Sequence, residues 1–225
     1  MLQINRKISL ILIATIVSVM ALPIAQADET TATFENLVPV EDAQVGMAYI
    51  DPNADFSVFK RVMILDTFVA FRSGWERDQR RVSRRNRVSA RDMERIKSRV
   101  SETFNASFID VLQADDGFEI VDEAGDDVLL IRAAIIDLDV TAPDTQSAGR
   151  SRTYTASSGA ATMYIELFDS VSGQIIGRAA DRQAARSPGN MLSWNTSVSN
   201  TANARRVFNS WAGKLREFLD SHYTK

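Results

Sequence analysis

The run VLLIRAAIIDLDV, residues 128–140, constrains the fold more than any other stretch of this chain. Thirteen residues pass without a glycine or a proline, and apolar side chains occupy both alternating sets. Leu130, Ala134, Ile136 and Leu138 read on one side, and Leu129, Ile131, Ala133 and Ile135 on the other. Successive side chains of a strand point to opposite faces, and a strand apolar on both faces belongs in the middle of a sheet. The rest of the chain must supply partners for its two edges and apolar cover.

The partners are visible. VMILDTFVAF, Val62 to Phe71, is β-branched and aromatic on both faces with one charge, which predicts a second buried strand. FEIV (118–121) leads into the long strand through the acidic turn DEAGDD, where Gly125 permits a tight reversal. ATMYIELFD (161–169) alternates cleanly. It turns through SVSG, ending at Gly173, into QIIGRAADR (174–182) as a hairpin.

Cover comes from two helices. Ser89 and Asp92 are spaced as a capping box, and Met93, Ile96, Val100, Phe104, Phe108, Val111 and Leu112 form one stripe of a helix over about 90–113. A second helix starts near Ser199–Thr201 and carries Val207, Phe208, Trp211, Ala212, Leu215, Phe218 and Leu219. The order β-α-β-β-β-β-α predicts a single α+β domain over 47–225, with a mixed, mainly antiparallel sheet of about five strands and two long helices. No internal repeat is present. TAPDTQSAGRSRTYTASSG (141–159) and SPGNMLSWNTSVSN (187–200) read as long loops rich in hydroxyls and small residues.

The leader has its own signature. Arg6 and Lys7 precede an apolar run from Ile8 to Leu22, followed by Pro23 and the small residues Ala25 and Ala27. This order predicts a cleavable signal peptide over 1–27, export, and a periplasmic location. Residues 28–46 are polar and patternless and read as a flexible lead-in. No later stretch is long and apolar enough to span a bilayer, so a mature chain without a transmembrane segment is expected. Removing Arg6 and Lys7 takes the formal charge from −3 to −5, a balance that disfavours binding to nucleic acid. The chain contains no cysteine, which excludes disulfides, thiol chemistry and a lipid anchor on a lipobox cysteine.

Four phrases in this order resemble a known family: AYIDPNADFSVFKRVMI, FEIVDEAGDDVLLIRAAIIDLDV, MYIELFDSVSGQIIGRAAD and WAGKLREFLD. Together, over roughly residues 46–220, they resemble the bacterial envelope family catalogued as domain of unknown function 3313. The resemblance implies an envelope location in a Gram-negative bacterium and a small α+β domain. Many members look like lipoproteins, but tethering does not carry over to a chain without cysteine. The family brings no catalytic residue and no cofactor with it.

Little catalytic chemistry is legible. The single histidine, His222, lies four residues from the end and reads as an exposed tail residue. No nucleophile elbow, phosphate loop or dinucleotide fingerprint occurs, and no metal or cofactor is expected. Asp137 and Asp139 would share a strand face about 7 Å apart, a pair that could bind a divalent cation or split an acid/base role in a hydrolase, although a strand end emerging into solvent explains them more simply.

The remaining candidates are for binding. RSGWERDQRRVSRRNR, residues 72–87, holds seven arginines and two acidic residues, a net charge of +5 in an acidic protein. Arg80, Arg81, Arg84 and Arg85, with Trp75 at the interface, would suit an anionic envelope partner: a protein, a lipid or a cell-wall component. The competing reading is a connection whose arginines neutralise the acidic turn 122–127. Arg150 and Arg152 among hydroxyls are a second anion-binding candidate. Trp194 is either a partner anchor or a lid on the core. The leading expectation is a non-enzymatic periplasmic interaction module. The alternatives are a carrier of a small apolar or lipidic ligand, lined by Phe68, Phe71, Phe104, Phe108, Phe208 and Trp211, and a carboxylate-based hydrolase.

Overall fold

The computed structural model describes residues 36–82, 88–140, 153–155, 157–186, 193–195 and 197–222. The signal peptide, residues 28–35 of the lead-in, and Arg84, Arg85, Arg150 and Arg152 lie outside the described residues. In chain order the strands are β1 (Val38–Pro39), β2 (Met47–Ile50), β3 (Arg61–Ile64), β4 (Phe68–Phe71), β5 (Glu119–Ile120), β6 (Val128–Val140), β7 (Thr153–Thr155), β8 (Ser157–Asp169), β9 (Ile175–Arg186) and β10 (Ser193–Asn195). The helices are α1 (Trp75–Val82), α2 (Ala90–Gln113) and α3 (Ser197–His222), and a short 3-10 turn covers Phe56–Val58.

The long strand β6 is central, as its sequence requires. The main sheet runs β1-β2-β9-β8-β6-β3-β5, with β4 continuing along the same edge of β6 that β3 occupies. β3, β4 and β5 pair in parallel, and the other neighbours are antiparallel. The eight-stranded mixed sheet and three helices form an α+β domain larger in its parts than the five strands and two helices expected from sequence.

Each difference has a local cause. VMILDTFVAF breaks at Leu65–Thr67, where the Thr67 hydroxyl donates to Asn105 Oδ1 of α2 (2.6 Å), so one expected strand becomes β3 and β4. Val38–Pro39 within the lead-in form β1, which pairs with β2. The two polar loops each give three residues to a small separate ladder, with Trp194 opposite Tyr154. α3 begins at Ser197, slightly before the expected start. The unexpected α1 is anchored by the buried Trp75 and has too few apolar residues to form a stripe.

α2 and α3 lie on one face of the sheet. Leu129, Ile131, Ala133 and Ile135 of β6 and Ala161, Met163, Ile165 and Leu167 of β8 are buried against Phe104, Phe108 and Leu112 of α2 and Phe208, Trp211 and Leu219 of α3. Phe104 stacks on Phe108 at 4.1 Å and meets Phe208 edge-on at 5.4 Å. The capping box at Ser89 and Asp92 is formed in both directions. At the other end of α2, Arg216 of α3 donates to the carbonyls of Leu112 and Ala114 at 2.9 Å each, satisfying acceptors that a helix C-terminus leaves open. Gly117 is required there, because a Cβ would sit 2.1 Å from the Leu112 carbonyl oxygen.

The opposite sheet face carries a polar row across three strands. Glu166 of β8, 6% exposed, accepts from Arg132 Nε of β6 (2.8 Å) and from Arg178 Nη2 of β9 (2.6 Å). Burial works against its charge, but the two guanidinium groups outweigh it and hold its carboxyl below the usual range.

One correction concerns β6 itself. Its pairing with β8 steps from Ile136–Thr162 to Asp139–Ala160, and Asp137 has φ +51°. This bulge inserts one residue and reverses the alternation beyond it. Leu138 therefore joins the helix-facing core instead of the side shared by Leu130 and Ala134. A β-branched residue is strained in this left-handed conformation. Asp137→Val should thus lower stability by about 1–3 kcal/mol in chemical denaturation, whereas Asp137→Gly should match or exceed the wild type.

Candidate ligand-binding cavity

The helix-facing side chains of the sheet are not uniform in size. β6 and β8 present Leu, Ile and Met beside Ala133 and Ala161, and Ile176 (β9) and Ile50 (β2) are also bulky, but Gly177 and Ala179 (β9) and Ala48 (β2) are small, with Ala48 directly opposite Ala179. α3 lies across β8 and β9, and the small side chains leave space beneath it. The β1–β2 loop, residues 40–46, closes over that space. A cavity of about 310 Å³ results, at the lower end of the range for small-molecule sites.

Its floor is Met163, Ile165, Leu167 and Ala179, and its inner wall is Phe108, Trp211, Leu215 and Phe218. Val40, Ala43 and Val45 of the loop form the roof. Asp42 and Gln44 of the loop and Lys214, Glu217 and Ser221 of α3 add polar side chains to the lining, and Tyr49 and Ile50 of β2 also contribute. Arg178 also contributes to the lining, but its guanidinium is engaged with Glu166 on the other sheet face.

Asp181 ties the loop and α3 to the sheet. Its Oδ1 accepts from Gly46 N (3.1 Å), and its Oδ2 accepts from Trp211 Nε1 (2.8 Å), Gln183 Nε2 (2.9 Å) and Lys214 Nζ (3.4 Å). Desolvation opposes its charge, but Gln183, Trp211 and Lys214 together hold the carboxyl below the ordinary aspartate value of 3.8. Farther along, Gln44 Nε2 donates to Glu217 Oε2 at 3.2 Å, fastening the loop to the exposed side of α3.

The sequence-based candidates are distributed differently. Trp75 is 1% exposed, stacks on Phe71 at 4.1 Å and donates to the Val140 carbonyl, so it anchors α1 from inside and is not an interfacial residue. Arg72 bridges Asp78 (2.8 Å) and Asp139 (2.9 Å), and Arg80 pairs with Glu76 within the helix. The acidic turn is instead met by Arg61, which pairs with Asp127. Arg77, Arg80 and Arg81 face solvent.

The bulge separates the two candidate carboxylates into different settings, Asp139 held by Arg72 and Asp137 3.9 Å from Arg182. Phe68 is 64% exposed and Phe71 packs on Trp75. Of the six aromatic residues proposed to line an apolar site, Phe108 and Trp211 do so. His222 ends α3 in an ordered setting, its Nδ1–H donating to the Phe218 carbonyl (2.8 Å) and its ring 5.7 Å from that of Phe56. Among the described residues, no cluster of three or more His, Cys, Asp or Glu side chains could hold a metal, and no helix is long and apolar enough to cross a membrane.

Comparison with known proteins supplies the family. The profile described as Protein of unknown function (DUF3313) matches residues 26–215. The chain belongs to this family. No curated protein matches it. Among solved structures, it is similar to a Xanthomonas campestris protein assigned to the family DUF330, at 12% identity and a TM-score of 0.40, covering 80% of this chain and 91% of that one. It is also similar to the PelC dodecamer from Paraburkholderia phytofirmans, at 9% identity and a TM-score of 0.35, covering 75% and 98%. Neither likeness is strong enough to carry an argument about this DUF3313 chain.

The Asp181 anchor generates a pH prediction. Because its folded pKa lies below the unfolded value of about 3.9, its stabilisation is fully present above that value and is lost as pH falls through the lowered folded value. Asp181→Asn should cost about 1–3 kcal/mol at neutral pH, as expected for hydrogen bonds to a charged acceptor. In thermal melts across pH, the gap from wild type should stay constant down to about pH 4 and narrow only below it.

Proposed function

We propose that this DUF3313 protein is a non-enzymatic binding module of the bacterial envelope, exported by the signal peptide at 1–27, that carries a small apolar ligand beneath the β1–β2 loop. The observation that carries this reading is the cavity itself: an apolar floor and wall, produced by Ala48, Gly177 and Ala179 where bulkier residues would close the core, with polar groups gathered on the loop and α3. Small-molecule sites have this composition, predominantly apolar with a few placed polar groups. The missing cysteine removes thiol chemistry, and the single histidine is engaged through Nδ1 with the Phe218 carbonyl at the end of α3, which favours binding over catalysis.

The direct test is Nile red fluorescence with the mature protein, paired with mass spectrometry of extracted ligand after native purification. The wild type should bind the dye saturably, and Ala179→Leu should weaken binding by about tenfold or more while its melting temperature stays level or rises, because the new side chain enters unfilled space. A loss of about 1–3 kcal/mol in stability would instead mean that the space is already packed.

A second reading rests on α1. Trp75 fixes this helix on the sheet and turns Arg77, Arg80 and Arg81 outward, an arrangement suited to an anionic protein, lipid headgroup or cell-wall polymer. A triple charge reversal, Arg77→Glu with Arg80→Glu and Arg81→Glu, should abolish a salt-sensitive capture from envelope extract. Equal capture by both proteins at low salt would exclude the helix as the docking element.

A further inference from the structure

The cavity's mouth is electrostatically one-sided. Lys214 is the one lining cation whose charged group stays on the cavity side among the described residues, and its ammonium is already directed at Asp181 Oδ2. Asp42 and Glu217 add two further carboxylates, both on exposed residues of the lining. The Arg178 guanidinium is held by Glu166 on the far side of the sheet. Counting these groups, Lys214 and Asp181 offset one another and the two remaining charges are negative. The interior beyond them is apolar, and the whole cavity, mouth included, has room for about ten groups of the size of a water molecule, at roughly 30 Å³ each.

Resting on the carrier reading, we infer that the site selects single-chain amphiphiles by headgroup charge, accepting an amine or a hydroxyl and disfavouring a carboxylate. The chain lies on Met163, Ile165 and Ala179, and the head stays at the mouth between Asp42 and Glu217. A fatty acid would bring a third like charge beside those two, with no further lining cation among the described residues to answer it. An amine would meet both carboxylates. An alcohol would bind through its chain and gain nothing from the charges. The class predicted is therefore a cationic or neutral amphiphile with a chain of about ten carbons.

The experiment uses three probes with the same chain length: decylamine, decanol and decanoate, each displacing Nile red from the mature protein at neutral pH and low salt. The expected order is decylamine, then decanol, then decanoate, with the amine about three- to tenfold stronger than the carboxylate through the mouth charges. Differences in chain hydration are removed by comparing proteins. In the double variant Asp42→Lys with Glu217→Lys, the amine-to-carboxylate ratio should fall and invert, and in wild type it should shrink as salt is raised. If the lysine variant does not melt cooperatively, Asp42→Asn with Glu217→Gln should bring the ratio toward that of high salt. Equal displacement by all three probes, or a ratio unmoved by the variants, would overturn the headgroup inference and leave the cavity intact. Displacement by none of them, with no Nile red binding, would overturn the cavity reading as well.

Discussion

The hydrogen-bonding demand of β6 organises the domain. A thirteen-residue strand apolar along both faces has two edges of backbone donors and acceptors that must be met inside the protein. β8 meets one edge over nearly its whole length, while β3 and β4 share the other. Their parallel pairing requires a crossover, and that crossover is α1 and α2. α2 is thereby delivered to the face where Ile131, Ala133 and Ile135 wait for cover. The remaining strands add outward from β8 as antiparallel neighbours, with Gly177, Ala179 and Ala48 small where β8 carries Met163, Ile165 and Leu167. α3 covers the bulky and the small strands alike, so a straight helix over a graded surface leaves a gap at the small end.

The sheet's other face fixes the register that makes this grading matter. Arg132, Glu166 and Arg178 stand opposite one another on three adjacent strands, and the carboxylate between them is almost wholly enclosed. A one-residue slip of β8 or β9 would turn an arginine or the glutamate into the helix-facing core and leave its partner charge buried alone. The same slip would move Ala179 from beneath α3. Ionic specificity on one face thus sets the side-chain sizes seen by the other.

Much of this was legible in the sequence. The bounds of β6 and α2, the capping box at Ser89, the β8–β9 hairpin and the α3 stripe all follow from local periodicity, because each element repeats its apolar pattern for at least two turns or several alternations. The elements that escaped are short or depend on distant partners. α1 has too few apolar residues to form a stripe, β1 is two residues long, and β7 and β10 exist only as each other's partners. The bulge at Asp137 gives no signal in a pattern apolar on both sides, so the Asp137–Asp139 spacing looked regular. The cavity had a trace in QIIGRAAD, where small residues take the helix-facing positions of a strand, but its meaning depends on knowing that β2 lies alongside with Ala48. Charge density was a poor guide: the arginine-rich segment drew attention to Trp75, whose indole is inside.

Gln44 and Glu217 stand 173 positions apart, near the two ends of the described chain, and their hydrogen bond closes the site. Folding must therefore complete the largest loop available before the cavity has a roof. Loop-closure entropy grows only with the logarithm of length, about 0.6 kcal/mol per doubling, so the distance weakens the finished closure very little. It matters instead for order of events: contacts distant in sequence form late. The site is complete only when β2, β9 and α3 are all in place, so a ligand held there ties the N-terminal strands to the last helix.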